Sequence, residues 1–158
     1  MSRTRWLSTD EQRTWRAFLT ANRMLFDAIE AQLARDSRMP HPYYEILVRL
    51  SEAPGRSLRM SELADRSQSS RSRLSHAVAR LQEKGWVQRR DCPTDRRGQI
   101  AVLTDDGFEA LAAAAPGHVE CVRGLLFDPL TDEQVAALRQ ISEAVIAHLQ
   151  ASCDAAES

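Results

Sequence analysis

Two neighbouring stretches place chemically active residue types at close spacing. The first, "SSRSRLSH" from Ser69 to His76, alternates hydroxyls with guanidiniums and ends on an imidazole. The second, "RRDCPTDRRGQIAVLT" from Arg89 to Thr104, carries four arginines within nine residues. Guanidinium forks suit phosphate oxygens and the O6/N7 edge of guanine, and small hydroxyls allow close approach to a polyanion. The chemistry indicated is recognition of an anionic polymer rather than bond making. No glycine-rich phosphate loop, nucleophile elbow or His/Glu pair at metal-ligand spacing occurs, so neither an enzyme nor a cofactor is expected.

Charge is distributed to match. The whole chain of 158 residues has a formal net charge of −1. Between Arg56 and Ile100, eleven basic residues face five acidic ones, a balance of +6. The remaining ten basic and seventeen acidic residues give −7. A basic segment between acidic flanks suits a polyanion-binding module on a separate scaffold, the competing reading being a solvated charged face. Twenty of the 21 basic residues are arginine, a preference that a GC-rich genome would also produce.

The elements that must position these residues follow from caps and periodicity. Ser8 and Glu11 form a capping box ahead of Trp15, Phe18, Leu19, Leu25, Phe26, Ile29 and Leu33, so one amphipathic helix is expected over about 9–36. Pro40 and Pro42 open a second helix that Pro54-Gly55 ends. A short extended piece then leads to a helix with Ser61 as its expected N-cap and Leu63 and Ala64 facing inward. The next helix, about 70–84, begins at Ser70, and Gly85 is its C′ residue. "WVQRRD" and "QIAVLT" bracket the loop "CPTDRRG", which reads as a β-hairpin. Thr104 caps a long helix in which Pro116-Gly117 is expected to cause a kink or break. Thr131 and Gln134 form the capping box of the last helix. The order is helix, helix, short strand, helix, helix, hairpin, long helix, helix.

Two short helices joined by a tight turn and followed at once by a basic hairpin make a winged helix-turn-helix, whose second helix enters the DNA major groove. Ser70, Arg71, Ser72 and Arg73 then form the first turn at the base edges, with Ser75 and His76 one turn on. Ser70 also aims free backbone N–H groups at a phosphate. Arg71 and Arg73 splay about 200° apart on a helix, so one is assigned to bases and the other to phosphate or solvent. In the hairpin, Arg96 and Arg97 sit at or beside the tip, where an arginine can enter the narrow minor groove. Asp95 is placed to hold Arg97 by its guanidinium. Arg89 and Arg90 alternate faces, so one of them reaches phosphate. Arg80 serves equally well as an ion-pair residue or a phosphate contact.

"LRMSELADRSQSSRSRLSHAVARLQEKGWVQRRDCPTDRRGQIAVLTDDG" resembles the core of MarR-type transcription factors, and the flanks "YYEILVRLSEAPG" and "FDPLTDEQVAALRQI" resemble the same family. The resemblance covers nearly the whole chain. It implies a mainly α (α+β) fold in one MarR-type domain over 1–158. Helices at about 8–36 and 104–150 would dimerise, and a winged helix-turn-helix DNA-binding lobe would span about 56–103. It implies a homodimer on a palindromic operator in double-stranded DNA, acting as a repressor that a small ligand relieves, and in that family the arginine of the Asp-x-Arg wing enters the minor groove. Asp95 and Arg97 match that wing. One departure is Gln68-Ser69, where the family often has a glycine and an apolar residue. The apolar stripes of the first and last two helices exceed what one small core can bury, which suits partner helices of a second subunit.

The resemblance also implies a small aromatic or anionic effector between the dimerisation helices and the DNA-binding lobe, with Trp15, His41, Tyr43 and Tyr44 on the segments lining that cleft. The competing assignment for Trp15 and Tyr44 is core. Cys92, Cys121 and Cys153 are odd in number and contain no CxxC, so no zinc knuckle or disulfide framework is indicated. Cys92 lies among arginines that could stabilise a thiolate, which gives the alternative of a redox-responsive regulator. Family members that sense peroxide carry their cysteine in the first helix, and this chain has none there. His118 and Cys121 share a helix face, but two residues are not a metal site. A winged helix used only as a protein-interaction module is the remaining alternative. Residues 1–7 lack an apolar h-region and no run is long enough to span a membrane, so a cytoplasmic location without a membrane partner is expected.

Overall fold

The computed structural model describes residues 4–93 and 95–156; the side chains of Arg96, Arg97 and residues 153–156 lie outside that description. Among the described residues, six α-helices and three strands follow in the expected order: α1 (Thr9–Ser37), α2 (His41–Ser51), β1 (Ser57–Arg59), α3 (Met60–Arg66), α4 (Arg71–Glu83), β2 (Val87–Cys92), β3 (Asp95–Leu103), α5 (Asp105–Val122) and α6 (Asp132–Ala156). The chain divides into two compact units, one running through Val119 and the other starting at Glu120.

In the first unit, local signals set the helix ends. Ser8 Oγ accepts the Glu11 N–H at 3.2 Å while the Glu11 carboxylate accepts the Ser8 N–H at 2.7 Å, closing the capping box. The reach back to Ser8 also holds the Glu11 carboxyl below its ordinary pKa. The start of α3 differs from expectation. The cap is Arg59, without a side-chain hydrogen bond, and Ser61 falls inside the first turn. Pairing of β1 with β3 (Leu58 opposite Ala101) fixes where the extended piece stops, and that non-local constraint overrides the serine signal.

The core collects one face of each element of the first unit. Leu33 and Met39 meet Leu47 and Leu50 of α2, Leu63 and Ala64 of α3, Leu74, Val78 and Leu81 of α4, and Val87, Ala101 and Leu103 of the sheet in one buried set. Burying each leucine is worth roughly 1.5–3 kcal/mol, so this set decides which face of α4 turns outward. The sheet is antiparallel in the order β1-β3-β2.

A compact knot locks the hairpin between α4 and α5. Gly85 takes φ +76°, and the Trp86 N–H donates to the Leu81 carbonyl at 3.0 Å, which closes a Schellman turn. Thr104 Oγ1 donates to the Gly85 carbonyl at 2.7 Å and accepts the Gly107 N–H at 3.0 Å. Gly107 packs against the Trp86 carbonyl so closely that a Cβ there would sit 2.1 Å from that oxygen. The "LTDDG" run is thus the clasp that starts α5 against the end of α4.

Pro116 does not break α5, which continues to Val122. The ring is exposed, so water can meet the carbonyl that the missing N–H leaves free. The irregularity comes later, in a π-turn at Arg123–Phe127 of the second unit, where the Asp128 N–H donates to the Arg123 carbonyl at 2.8 Å. That unit then runs into α6, whose capping box pairs the Thr131 N–H with Gln134 Oε1 and the Gln134 N–H with Thr131 Oγ1. No helix among the described residues is long and apolar enough to cross a membrane.

Candidate nucleic-acid interface

The α3–α4 turn sets the angle of α4. Gln68 adopts φ +47°, and the Ser69 N–H donates to the Ala64 carbonyl at 3.0 Å. The turn is therefore a Schellman-type C-cap with glutamine where glycine costs least. The departure at Gln68-Ser69 leaves the turn geometry intact and shifts its cost onto a non-glycine left-handed residue.

Ser70 then caps α4, its hydroxyl accepting the Arg73 N–H at 3.3 Å. With Leu74, Val78 and Leu81 buried, helical geometry turns Ser72 and His76 outward, and Ser70, Ser72 and His76 are all exposed. Arg71 and Arg73 leave on opposite flanks, and neither has an ion-pair partner among the described residues. Arg71 lines a groove of about 210 Å³ with Met60, Ser61, Ser75 and Gln99. Arg80 is paired with Glu83 at 2.9 Å, and that hydrogen bond raises its pKa further. Its ion-pair role is the one realised.

The hairpin is tighter than the bracketed loop suggested, because strand pairing reaches Cys92 opposite Asp95. Asp91 pairs with Gln99, so Arg96, Arg97 and Gly98 are extra residues on β3, a bulge at the wing tip. Bulges re-aim side chains and sharpen local twist. Gly98 lies where a Cβ would meet Asp95 Oδ2 at 2.9 Å and Cys92 Cβ at 3.2 Å. The side chains of Arg96 and Arg97 lie outside the described residues, so the expected Asp95–Arg97 pairing does too. Asp95 has a cation on the neighbouring strand β1, Arg59 Nη1 at 3.9 Å. The sequence gives no signal for that pair, which depends on β1 lying beside β3.

Arg89 and Arg90 do alternate. Arg90 is exposed and donates to Gln88 Oε1 at 3.2 Å. Arg89 is half-buried and donates through Nη2 to the carbonyl and hydroxyl of Ser75. Cys92 is buried, only 7% exposed, which opposes an accessible reactive thiol.

The four residues expected around an effector separate. His41 and Tyr44 line a cavity of about 220 Å³ with Glu45, Val48, Arg49, Glu52 and His118. Trp15 stands elsewhere, half exposed and stacked on Phe18 at 6.3 Å. Tyr43, the neighbour of Tyr44 on a helix, is turned about 100° away and does not line the cavity. His118 is the residue missed: its ring lies 4.3 Å from Tyr44 and 6.1 Å from His41. Its Nδ1 is buried without a hydrogen-bond partner among the described residues. Burial, helped by nearby His41 and opposed by Glu45, holds its pKa below the ordinary histidine value. Burial likewise raises the Tyr44 pKa. Among the described residues no three His, Cys, Asp or Glu side chains could hold a metal together.

Comparison with known proteins adds family to geometry. The family model described as "MarR family" matches residues 39–98. The crystal structure of Sco3205, a MarR family transcriptional regulator from Streptomyces coelicolor in complex with DNA, is 53% identical, with 92% of each chain covered and a TM-score of 0.91. The chain belongs to the MarR family. AbsC, another Streptomyces coelicolor member of the MarR family, is 40% identical over 94% of this chain and 99% of its own, with a TM-score of 0.89. The transcriptional repressor MprA of Escherichia coli is 29% identical over 103 residues, 65% of this MarR-family chain and 58% of MprA. The chain thus spans little more than half the length of that curated relative. The family's named members are transcriptional regulators, and the winged helix found here is their fold.

Proposed function

We propose that the protein is a sequence-specific regulator of transcription that binds a palindromic operator in double-stranded DNA as a homodimer, and that it acts as a ligand-relieved repressor. The observation that carries the reading is the outward face of α4. Ser70, Arg71, Ser72, Arg73 and His76 present hydroxyls, guanidiniums without an ion-pair partner among the described residues, and an imidazole on a helix whose opposite face is anchored in the core. A helix so presented fits the major groove, with Arg71 or Arg73 at guanine edges and the α4 N-terminus at phosphate. The bulged wing, with Arg90, Asp95, Arg96 and Arg97, supplies the minor-groove contact. The structure of Sco3205 with DNA supports this reading because its chain is similar along nearly its whole length.

The dimer reading rests on uncovered apolar surface. Trp15, Phe18 and Phe26 of α1 are each about half exposed, as are Ile141, Val145 and Leu149 of α6. Contiguous apolar faces of this kind mark interaction sites, and a second copy of the chain covers them by two-fold symmetry. The cavity of His41, Tyr44 and His118 is the effector site in this reading. Its aromatic walls suit a small aromatic ligand, and Arg49 with Glu45 and Glu52 gives it polar handles of both signs.

Selection from a randomised duplex pool with the purified protein tests the function. Enrichment of a sequence with an internal dyad is expected. A pool that stays random after repeated rounds would remove the regulator reading and leave the protein-interaction module.

A further inference from the structure

Of the two adjacent arginines at the start of the wing, only one is placed for DNA. Arg89 stands on β2 opposite Ala101, a fully buried residue of β3, and its guanidinium turns inward toward α4. There one terminal nitrogen, Nη2, donates to two acceptors on a single residue, the Ser75 carbonyl and Ser75 Oγ at 3.3 Å. The Nε–H is buried without a partner among the described residues. A half-buried guanidinium that left these acceptors for a phosphate would forfeit charge-assisted hydrogen bonds.

Ser75 lies in the middle of α4, one turn beyond Arg71 and on the same flank. The contact joins residues 14 apart in sequence and ties the wing's first strand to the recognition helix. The backbone links them only through the Gly85-Trp86 turn, at the far end of both elements from the wing tip. Pairing of β3 with β1 reaches Arg59 opposite Ile100 and holds the inner strand of the hairpin, whereas β2 is its outer strand, and the Arg89–Ser75 bond ties that strand to α4.

We propose that Arg89 is a positioning residue that holds the wing at a fixed distance from the recognition helix, and that this spacing sets discrimination between duplexes. The positive charge of Arg89 is used within the protein, and phosphate neutralisation falls to Arg90 and the α4 arginines. This inference rests on the DNA-binding reading above.

The test compares parent, Arg89→Met and Arg89→Lys for binding to the duplex recovered by selection and to a scrambled duplex of equal length, over a salt series. For Arg89→Met the expected result is about tenfold weaker binding to the recovered duplex, with scrambled-duplex affinity and salt slope unchanged. Arg89→Lys keeps the charge but offers one flexible donor group in place of the planar fork, so it should lose about threefold in the same ratio. The lysine variant serves even where the methionine variant does not fold. A phosphate contact would instead weaken both duplexes alike in Arg89→Met, lower the salt slope by about one, and leave Arg89→Lys close to parent. That result overturns the proposal, as does a lowered melting temperature with an unchanged ratio. A parent that does not distinguish the two duplexes removes the DNA-binding reading itself, an outcome separate from either.

Discussion

Within the winged lobe, Leu58, Leu63, Leu74, Val78, Leu81, Val87 and Leu103 are each no more than 5% exposed. Along α1 and α6, Phe18, Met24, Ile141 and Leu149 are more than half exposed. Both regions carry apolar stripes of similar regularity in sequence. The lobe closes its stripes against one another through β1–β3 pairing and the Thr104 clasp, so its outward surface is free to be polar and cationic. On α1 the buried apolar residues are Ile29 and Leu33 at its C-terminal end, and α6 has no buried residue among those described. The lobe's apolar residues hold its fold, whereas most of those on α1 and α6 stay exposed, and a second copy of the chain is the proposed cover.

Damage to the lobe and damage to the long helices should therefore have different signatures. The largest effect is expected at Gly107, where an added Cβ would sit 2.1 Å from the Trp86 carbonyl. Gly107→Ala should cost about 3 kcal/mol in urea unfolding, the upper end of ordinary overpacking, because backbone rather than a flexible side chain must give way. A variant as stable as the parent would mean the clasp is not rigid. Next is Val145→Asp on the exposed face of α6. It should leave the helical circular dichroism intact, turn the protein monomeric in sedimentation, and weaken operator binding by on the order of 100-fold through loss of the second half-site. An unchanged sedimentation coefficient would place the dimer contact elsewhere.

Smaller effects sharpen the picture of each region. Gln68→Gly relieves a left-handed glutamine and should raise stability by up to about 1 kcal/mol, because the steric cost outweighs the added chain entropy. Destabilisation would show that the Gln68 side chain contributes more than its backbone costs. The smallest signal is a pH dependence at His118. Its folded pKa is below its unfolded one, so the unfolded chain binds the proton more readily. Stability should be full above the ordinary histidine pKa, fall as pH drops through it, and level off below the folded pKa. The unfolding midpoint measured from neutral to mildly acid pH should lose that component in His118→Gln, and an identical profile in parent and variant would discount it.

The parts legible in sequence were those set within one or two helical turns. Ser8 with Glu11, Thr131 with Gln134, Ser70 and Gly85 each carry their own local chemistry, and each stands where that chemistry places it. The order of elements followed, and with it the outward turn of Ser72 and His76. What stayed hidden depends on partners distant in sequence. Ser61 carries a cap signal, but sheet pairing moved the start of α3 to Met60. Pro116 carries a break signal that an exposed position can tolerate. Arg59 beside Asp95, Arg89 on Ser75 and His118 against Tyr44 all come from strand register or helix packing that no local spacing encodes.

Two winged lobes, joined through the exposed apolar faces of α1 and α6, are proposed to read one duplex together. Hydroxyl-radical footprinting of the parent protein on the selected duplex addresses it directly. Two protected blocks related by a dyad are expected, their centres one helical turn or ~34 Å apart. A single protected block, or uniform protection without a dyad, would contradict it.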